Sequence, residues 1–137
     1  MGDAKSRFDW PVRIYYEDTD AGGVVYYANY LKFFERARTE FLRALGFEQD
    51  QLKAQEGIIF AVRSVRVEYI KPARFNDLLV ITCSPSACRH ASLDFFQQIF
   101  LRGETLLCQG WFCIACLDAV SLRPRPIPES LRKVLHE

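Results

Sequence analysis

One helical stripe, standing alone among strand-like segments, most limits what this chain can fold into. Tyr30, Phe33, Phe34, Ala37, Phe41 and Leu45 recur at steps of three and four, giving a wide apolar face. Glu35, Arg36, Arg38, Glu40 and Arg43 occupy much of the rest, and Gly46 is a stop signal. The pattern predicts one long helix from about Tyr27. Glu48–Glu56 reads as a short second helix ended by Gly57. Strands are predicted at 8–17, 58–70, 78–83, 91–101 and 106–117, with Pro11 tolerated near an edge-strand start and Arg102-Gly103-Glu104 as a tight hairpin connection. A long helix followed by consecutive strands implies an α+β domain, with the helix on one face of an antiparallel sheet.

Composition narrows the class. The 137 residues suggest one domain spanning 1–137, half of them are hydrophobic and 14% aromatic, so a substantial core is available. The net charge of +1 argues against nucleic acid as a partner. No apolar run has membrane-spanning length and no signal peptide is evident, so no transmembrane segment is expected. Five cysteines without framework spacing favour a reducing, cytoplasmic setting. Cys113 and Cys116 form a lone C-x-x-C on a strand, where residues three apart face opposite ways. Buried apolar thiols are therefore favoured over metal ligands. Met1–Ser6 fits the outline of an N-myristoylation signal, but a solvated tail is the favoured reading. Pro-rich 121–128 is read as a rigid connector rather than a ligand for a partner domain, and 129–135 as a closing helix. The run 106–117 is apolar at nearly every position, which predicts cover on both faces, one side by the helix and the other by a second subunit or strand layer.

Chemistry concentrates in Tyr15–Tyr30. A strand-like segment runs into Glu17, Asp18 and Asp20, then Gly22 and Gly23, then the start of the helix. An acid can attack a carbonyl or take a proton. Glycines let backbone approach a ligand without a Cβ in the way. Free N–H groups of a first helical turn can hold a developing oxyanion. Taken alone, Asp20 before two glycines is also an ordinary turn residue. Asp18 shares its parity if the strand continues, but is read as a structural acceptor for the turn backbone, and Glu17 as a surface residue. No G-x-S-x-G elbow is present, which argues against an α/β-hydrolase.

The segment Tyr16-Glu-Asp-Thr-Asp-Ala-Gly-Gly-Val-Val-Tyr resembles the signature of the 4-hydroxybenzoyl-CoA thioesterase family of hotdog-fold enzymes, and within it the Tol-Pal-cluster acyl-CoA thioesterases of the YbgC type. Glu35-Arg-Ala-Arg-Thr-Glu, Val67-Glu-Tyr-Ile-Lys-Pro-Ala-Arg and Arg123-Pro-Arg-Pro-Ile-Pro support it across nearly the whole chain. The resemblance implies a hotdog fold, a sheet wrapped around one long helix, and a homo-oligomer built as a dimer of dimers. It implies hydrolysis of an acyl-CoA, or of an acyl carrier protein thioester, with no cofactor and no metal. Asp20 would be nucleophile or general base, and the Tyr27 backbone N–H the oxyanion donor. Gly22, Gly23, Val24 and Asn29 would line the substrate site, and Arg89, in Ser86-Ala-Cys-Arg89, would meet a CoA phosphate. Arg66, Lys71, Arg74, Arg123 and Arg125 are further basic groups for that role. Many relatives of this type have histidine where this chain has Tyr27, so a role for that imidazole does not carry over. A hotdog dehydratase, which typically pairs a histidine with an acid, is disfavoured, because neither His90 nor His136 lies near the motif. A non-catalytic acyl-CoA or partner-binding hotdog module is the alternative. Tyr30, Phe33 and Phe34 could shape an acyl pocket, although their spacing favours core packing.

Overall fold

The computed structural model describes residues 7–136, so the Met1–Ser6 segment lies outside the described residues. Five antiparallel strands form one sheet in the order β1-β3-β4-β5-β2. They are β1 (Phe8–Arg13), β2 (Ile58–Tyr69), β3 (Leu78–Cys88), β4 (Ser92–Leu101) and β5 (Thr105–Asp118). The long helix α1 (Asn29–Ala44) lies on one face, α2 (Gln49–Glu56) leads into β2, and α3 (Glu129–His136) closes the chain. This is the hotdog arrangement that the resemblance implies.

The helix stripe buries as its spacing predicts. Tyr30, Phe33, Phe34, Ala37 and Phe41 are all core residues, packed with Leu79, Ile81, Leu93, Phe95 and Phe112 of the sheet. Each such aromatic contributes ~1.5–3 kcal/mol of burial. Arg38 departs from the expectation of a polar outer face. It is only 8% exposed, turned inward beside Gln97 at 0%. Gly46 (φ +96°) and Gly57 (φ +69°) end the two helices in the left-handed region that glycine allows.

The strand boundaries differ from the sequence reading in instructive ways. β1 stops at Arg13, because Tyr16–Asp18 tighten into one turn of 3₁₀ helix. β3 runs past Cys83 to Cys88, absorbing Pro85 through a register shift between Pro85 and Ala87. Between β4 and β5, Arg102 (φ +54°) and Gly103 (φ +77°) both adopt left-handed backbone, as a type I′ turn requires. Within the single chain β5 alternates: Cys108, Phe112, Ile114 and Cys116 are buried inward, while Trp111 and Cys113 on the outer side are half-buried. Arg66 stacks over Trp111 there at 4.7 Å. Cys113 and Cys116 face opposite sides, and burial pushes the Cys116 thiol up to about 11.

The Pro-rich segment is a connector. Pro124 bridges Leu117, the Ile127 amide donates to His90 O at 2.8 Å, and Ile127 is buried. Asp118 anchors it. The carboxylate accepts the Ser121 (2.8 Å) and Val120 (2.9 Å) amides and Arg125 Nη1 (2.7 Å), which together hold it down to about 2. Its folded pKa is depressed, so this contribution is present above the unfolded carboxylate range and is lost as pH falls toward 2. Acid titration followed by far-UV circular dichroism should show wild type losing stability between about pH 4 and 2 more steeply than Asp118→Asn.

Candidate active site

The Asp18–Tyr26 segment folds into a small two-stranded ribbon. The Asp20 amide donates to Val24 O (2.9 Å), Thr19 bridges Val25, and the Tyr26 amide donates to Asp18 O (2.9 Å). The tip closes with the Gly23 amide on Asp20 O (3.0 Å), at a backbone φ of +81° that excludes most side chains. Asp20 Oδ1 accepts the Gly22 amide at 2.8 Å, and a Cβ added to Gly22 would sit 3.2 Å from that oxygen. Asp20 is exposed, and its Oδ2 has no partner among the described residues. One carboxylate oxygen is thus fixed by the loop and the other is free.

The ribbon delivers the chain to α1. Val24 bridges Arg74, and the Val25 amide donates to Ala73 O at 2.8 Å. The Ala73 amide in turn donates to the buried Tyr30 hydroxyl at 3.0 Å. Asn29 Nδ2 donates to Asp18 O at 2.9 Å, which ties the first helical residue to the ribbon. Asp18 is structural, its Oδ2 accepting the Tyr15 amide at 2.8 Å across the 3₁₀ turn. It does not share a strand face with Asp20, because the chain turns between Arg13 and Thr19. Glu17 is exposed on that turn.

The helix start has no side-chain cap. The Asn29 amide reaches Tyr26 O (2.9 Å) and the Leu31 amide Ala28 O (3.2 Å), but the Tyr27 and Ala28 amides have no acceptor among the described residues. These orphan donors stand at the positive end of the helix dipole. Helix proper begins at Asn29, two residues after Tyr27.

Four tyrosines ring the spot. Tyr26 and Tyr27 are 4.9 Å apart by ring centroid, Tyr69 meets Tyr27 edge-on at 6.2 Å, and Tyr30 lies 5.4 Å from Tyr69. Tyr69 Oη donates to Tyr27 O at 3.1 Å, so the peptide next to the free amide is pinned. Its role was not visible in the sequence, where Tyr69 only continues an alternating strand. Three of the phenols resist ionisation: the neighbouring Tyr27 chiefly raises Tyr26, with a smaller push from Asp20, while burial raises Tyr30 and Tyr69. A cleft of about 240 Å³ opens here, lined by Val25, Tyr27, Tyr30, Tyr69 and Lys71. Phe33 and Phe34 are core instead, 1% and 0% exposed.

Asp20, Gly22, Gly23 and Val24 therefore share one ribbon that leads directly into Tyr27 and Asn29 at the helix start. Lys71 and Arg74 lie at the same end of the sheet. Arg89 does not join them within one chain. It sits beyond the far end of β3, paired with Asp94 at 2.8 Å, roughly 30 Å of strand away. Arg125 is likewise paired with Asp118 at that end, and Arg123 follows the same segment.

The family model of the thioesterase-like superfamily matches residues 14–135. The chain belongs to that superfamily. It is 48% identical over 124 residues to the acyl-CoA thioester hydrolase YbgC of Escherichia coli O6:H1, covering 90% of this chain and 92% of that one. It is 40% identical to the acyl-CoA thioesterase YbgC of Haemophilus influenzae over 94% of both chains. A crystal structure of a probable thioesterase from Bartonella henselae, 38% identical, superposes with a TM-score of 0.85 over 89% of this chain and 99% of that chain.

Replacing Gly23 by alanine should strain the loop by ~1 kcal/mol or more, while Gly22→Ala crowds the carboxylate itself. Gly22→Ala should therefore lower turnover more than it lowers the melting temperature. Equal, small effects of both variants on turnover would show that the loop does not hold Asp20 for chemistry.

Proposed function

We propose that this protein hydrolyses acyl-CoA thioesters to a carboxylic acid and free CoA. The observation that carries the reading is the uncapped start of α1, with two free amides, reached by a short ribbon whose Asp20 carboxylate is held by Gly22. A thioester carbonyl lying over the helix start would receive the Tyr27 N–H. Such a donor is typically worth ~3–4 kcal/mol of barrier. Asp20 Oδ2 attacks the carbonyl carbon, the C–S bond breaks, and the thiolate leaves with the electron pair. Water then opens the mixed anhydride and regenerates the carboxylate. In the second reading Asp20 takes the proton from an attacking water; its free, exposed oxygen suits either step.

The same reading assembles the substrate site from two copies. Among the described residues β2 pairs only with β5, so twelve residues of backbone edge lie open, with Val62, Val65 and Tyr69 exposed along it. An open edge of this length is a template for pairing. Antiparallel pairing of β2 with a second copy of itself would be isologous and would extend the sheet. It would carry the Arg89 turn of one copy, level with the Ile58 end of β2, toward the Asp20 end of the other. Arg89 and Lys71 then serve as contacts for CoA phosphates, and two such dimers form the tetramer. A cytoplasmic setting suits a substrate of this kind and is part of the same reading, and acyl carrier protein thioesters are a second carrier to test.

Asp20→Asn should fold normally and lose 10³-fold or more in kcat against a panel of acyl-CoA chain lengths, whereas Asp18→Asn should lose far less. Retention of wild-type turnover by Asp20→Asn in a thiol-release assay would remove it from the mechanism. If acyl-CoA binds but is never cleaved, the binding-module reading takes over. Tyr27→Phe should stay largely active, because the peptide N–H survives. Collapse of a folded Tyr27→Phe variant would assign the work to the phenol.

Light scattering at low micromolar concentration should show no dominant monomer. Val62→Lys with Val65→Lys, which put charge along the open edge, should shift the protein toward monomer and reduce turnover together. A fully active monomer would contradict a shared site.

A further inference from the structure

A second cavity, of about 110 Å³, lies under the middle of α1. It opens beside Val62, seven residues and roughly 23 Å of strand from Tyr69, so it is separate from the cleft at the helix start. Its floor is apolar, made by Phe60, Leu93, Phe95 and Ile114, and its polar lining is Arg38, Thr39, Gln49 and the Glu35 carboxylate, which the Thr39 hydroxyl engages.

Arg38 is a largely buried cation with no carboxylate in direct contact, the charge of Glu35 acting on it from one turn earlier. No carboxylate oxygen of the described residues lies within 4.0 Å of it. Glu35, one turn earlier, engages Thr39 Oγ1 at 2.7 Å instead. The guanidinium is fixed in place: Nη1 donates to Gln97 Oε1 at 2.9 Å, and its carbon stands 4.6 Å from the Phe112 ring centroid. Gln97 cannot turn away, because its Nε2 donates to Phe34 O (3.0 Å) and Thr82 O (3.2 Å). An amide oxygen offers a dipole and no charge. Arg38 Nε and Nη2 have no acceptor among the described residues. Buried charges are normally paired, since desolvation of an isolated ion is costly. That burial also lowers the Arg38 pKa.

We propose that this cavity binds a small carboxylate. Its two oxygens take the free Nε–Nη2 edge of Arg38 side by side, a geometry that guanidinium favours and lysine does not offer. Its alkyl part lies on Phe95 and Ile114. The volume is somewhat below the roughly 150 Å³ of an engineered cavity that admits benzene, which limits the chain to about three or four carbons. The carboxylate can arrive as a free short acid, or as the far end of a dicarboxylic acyl group held at a second copy's site. Only the second source rests on the thioesterase reading.

The test uses the full chain and sodium propionate, with propionamide and sodium chloride as controls. Propionate at ten times its Kd should raise the melting temperature by about 4–6 °C, and propionamide should not. Arg38→Met should abolish the shift. Should that variant not fold, Thr39→Met extends a side chain into the cavity without removing the Arg38–Gln97 bond, and should abolish it too. The second source is tested by comparing succinyl-CoA with butyryl-CoA: loss of the Arg38 charge should lower the kcat/KM ratio for succinyl-CoA at least tenfold. A propionate shift that needs Arg38 or an open cavity, or a fallen succinyl ratio, supports the site. No propionate shift together with an unchanged ratio overturns it, as does a shift that propionamide shares or that survives both variants. Failure to turn over butyryl-CoA would count against the thioesterase reading and leave the propionate result to stand by itself.

Discussion

Burial of Phe33, Phe34, Ala37 and Phe41 against one face of one sheet decides where the rest of this chain can go. With that stripe seated, the start of α1 is held at the end of the sheet where β2 finishes and β3 begins. The Asp18–Tyr26 ribbon must then lie against Ala73 and Arg74, as the Val25–Ala73 and Val24–Arg74 contacts show. The helix start is left without a side-chain cap, which forgoes about 1 kcal/mol of ordinary helix stability. A free pair of amides is what a ligand oxygen could use. The packing of the helix middle and the openness of its start are one design: the apolar face supplies the stability that the uncapped end gives up.

The polar network under the helix follows from the same packing. Gln97, fully buried, hydrogen-bonds to both α1 (Phe34 O) and β3 (Thr82 O), fixing the helix along the strands as well as against them. It also holds Arg38 inward. A guanidinium in that position helps set the depth of the helix through its contact with Phe112, and leaves a charged edge toward a small cavity.

Much of this was legible in the sequence, because periodicity reports burial and the segments are long. The helix stripe, the glycines that end α1 and α2, and the succession of strands all follow from spacing. The acid–glycine–helix succession was legible as a tight turn leading to a helix start, and the motif resemblance led to the right superfamily. The misses have physical causes. Arg38 lies near the border of the apolar stripe, where sequence cannot tell an inward arginine from a solvated one, since its burial depends on Gln97, 59 residues on. Ser84-Pro85-Ser86 looks like a strand break, yet a bulge keeps β3 going. Tyr69 gives no local sign that its hydroxyl will meet Tyr27 O, because that contact spans the sheet-to-helix junction. The place of Arg89, at the end of β3 away from Asp20, was equally hidden, because motif spacing says nothing about which end of a strand of roughly 30 Å a residue occupies.

The central claim is that the Tyr27 amide and Asp20 act on the same carbonyl. The most direct measurement is a crystal structure with a dethia-acyl-CoA, a ketone in which methylene replaces the thioester sulfur and hydrolysis cannot occur. The account predicts the ketone oxygen 2.7–3.1 Å from Tyr27 N, and Asp20 Oδ2 about 3–3.5 Å from the carbonyl carbon or from one water that is. A ketone oxygen turned away from the start of α1, with Asp20 touching neither the carbonyl nor its water, would contradict it.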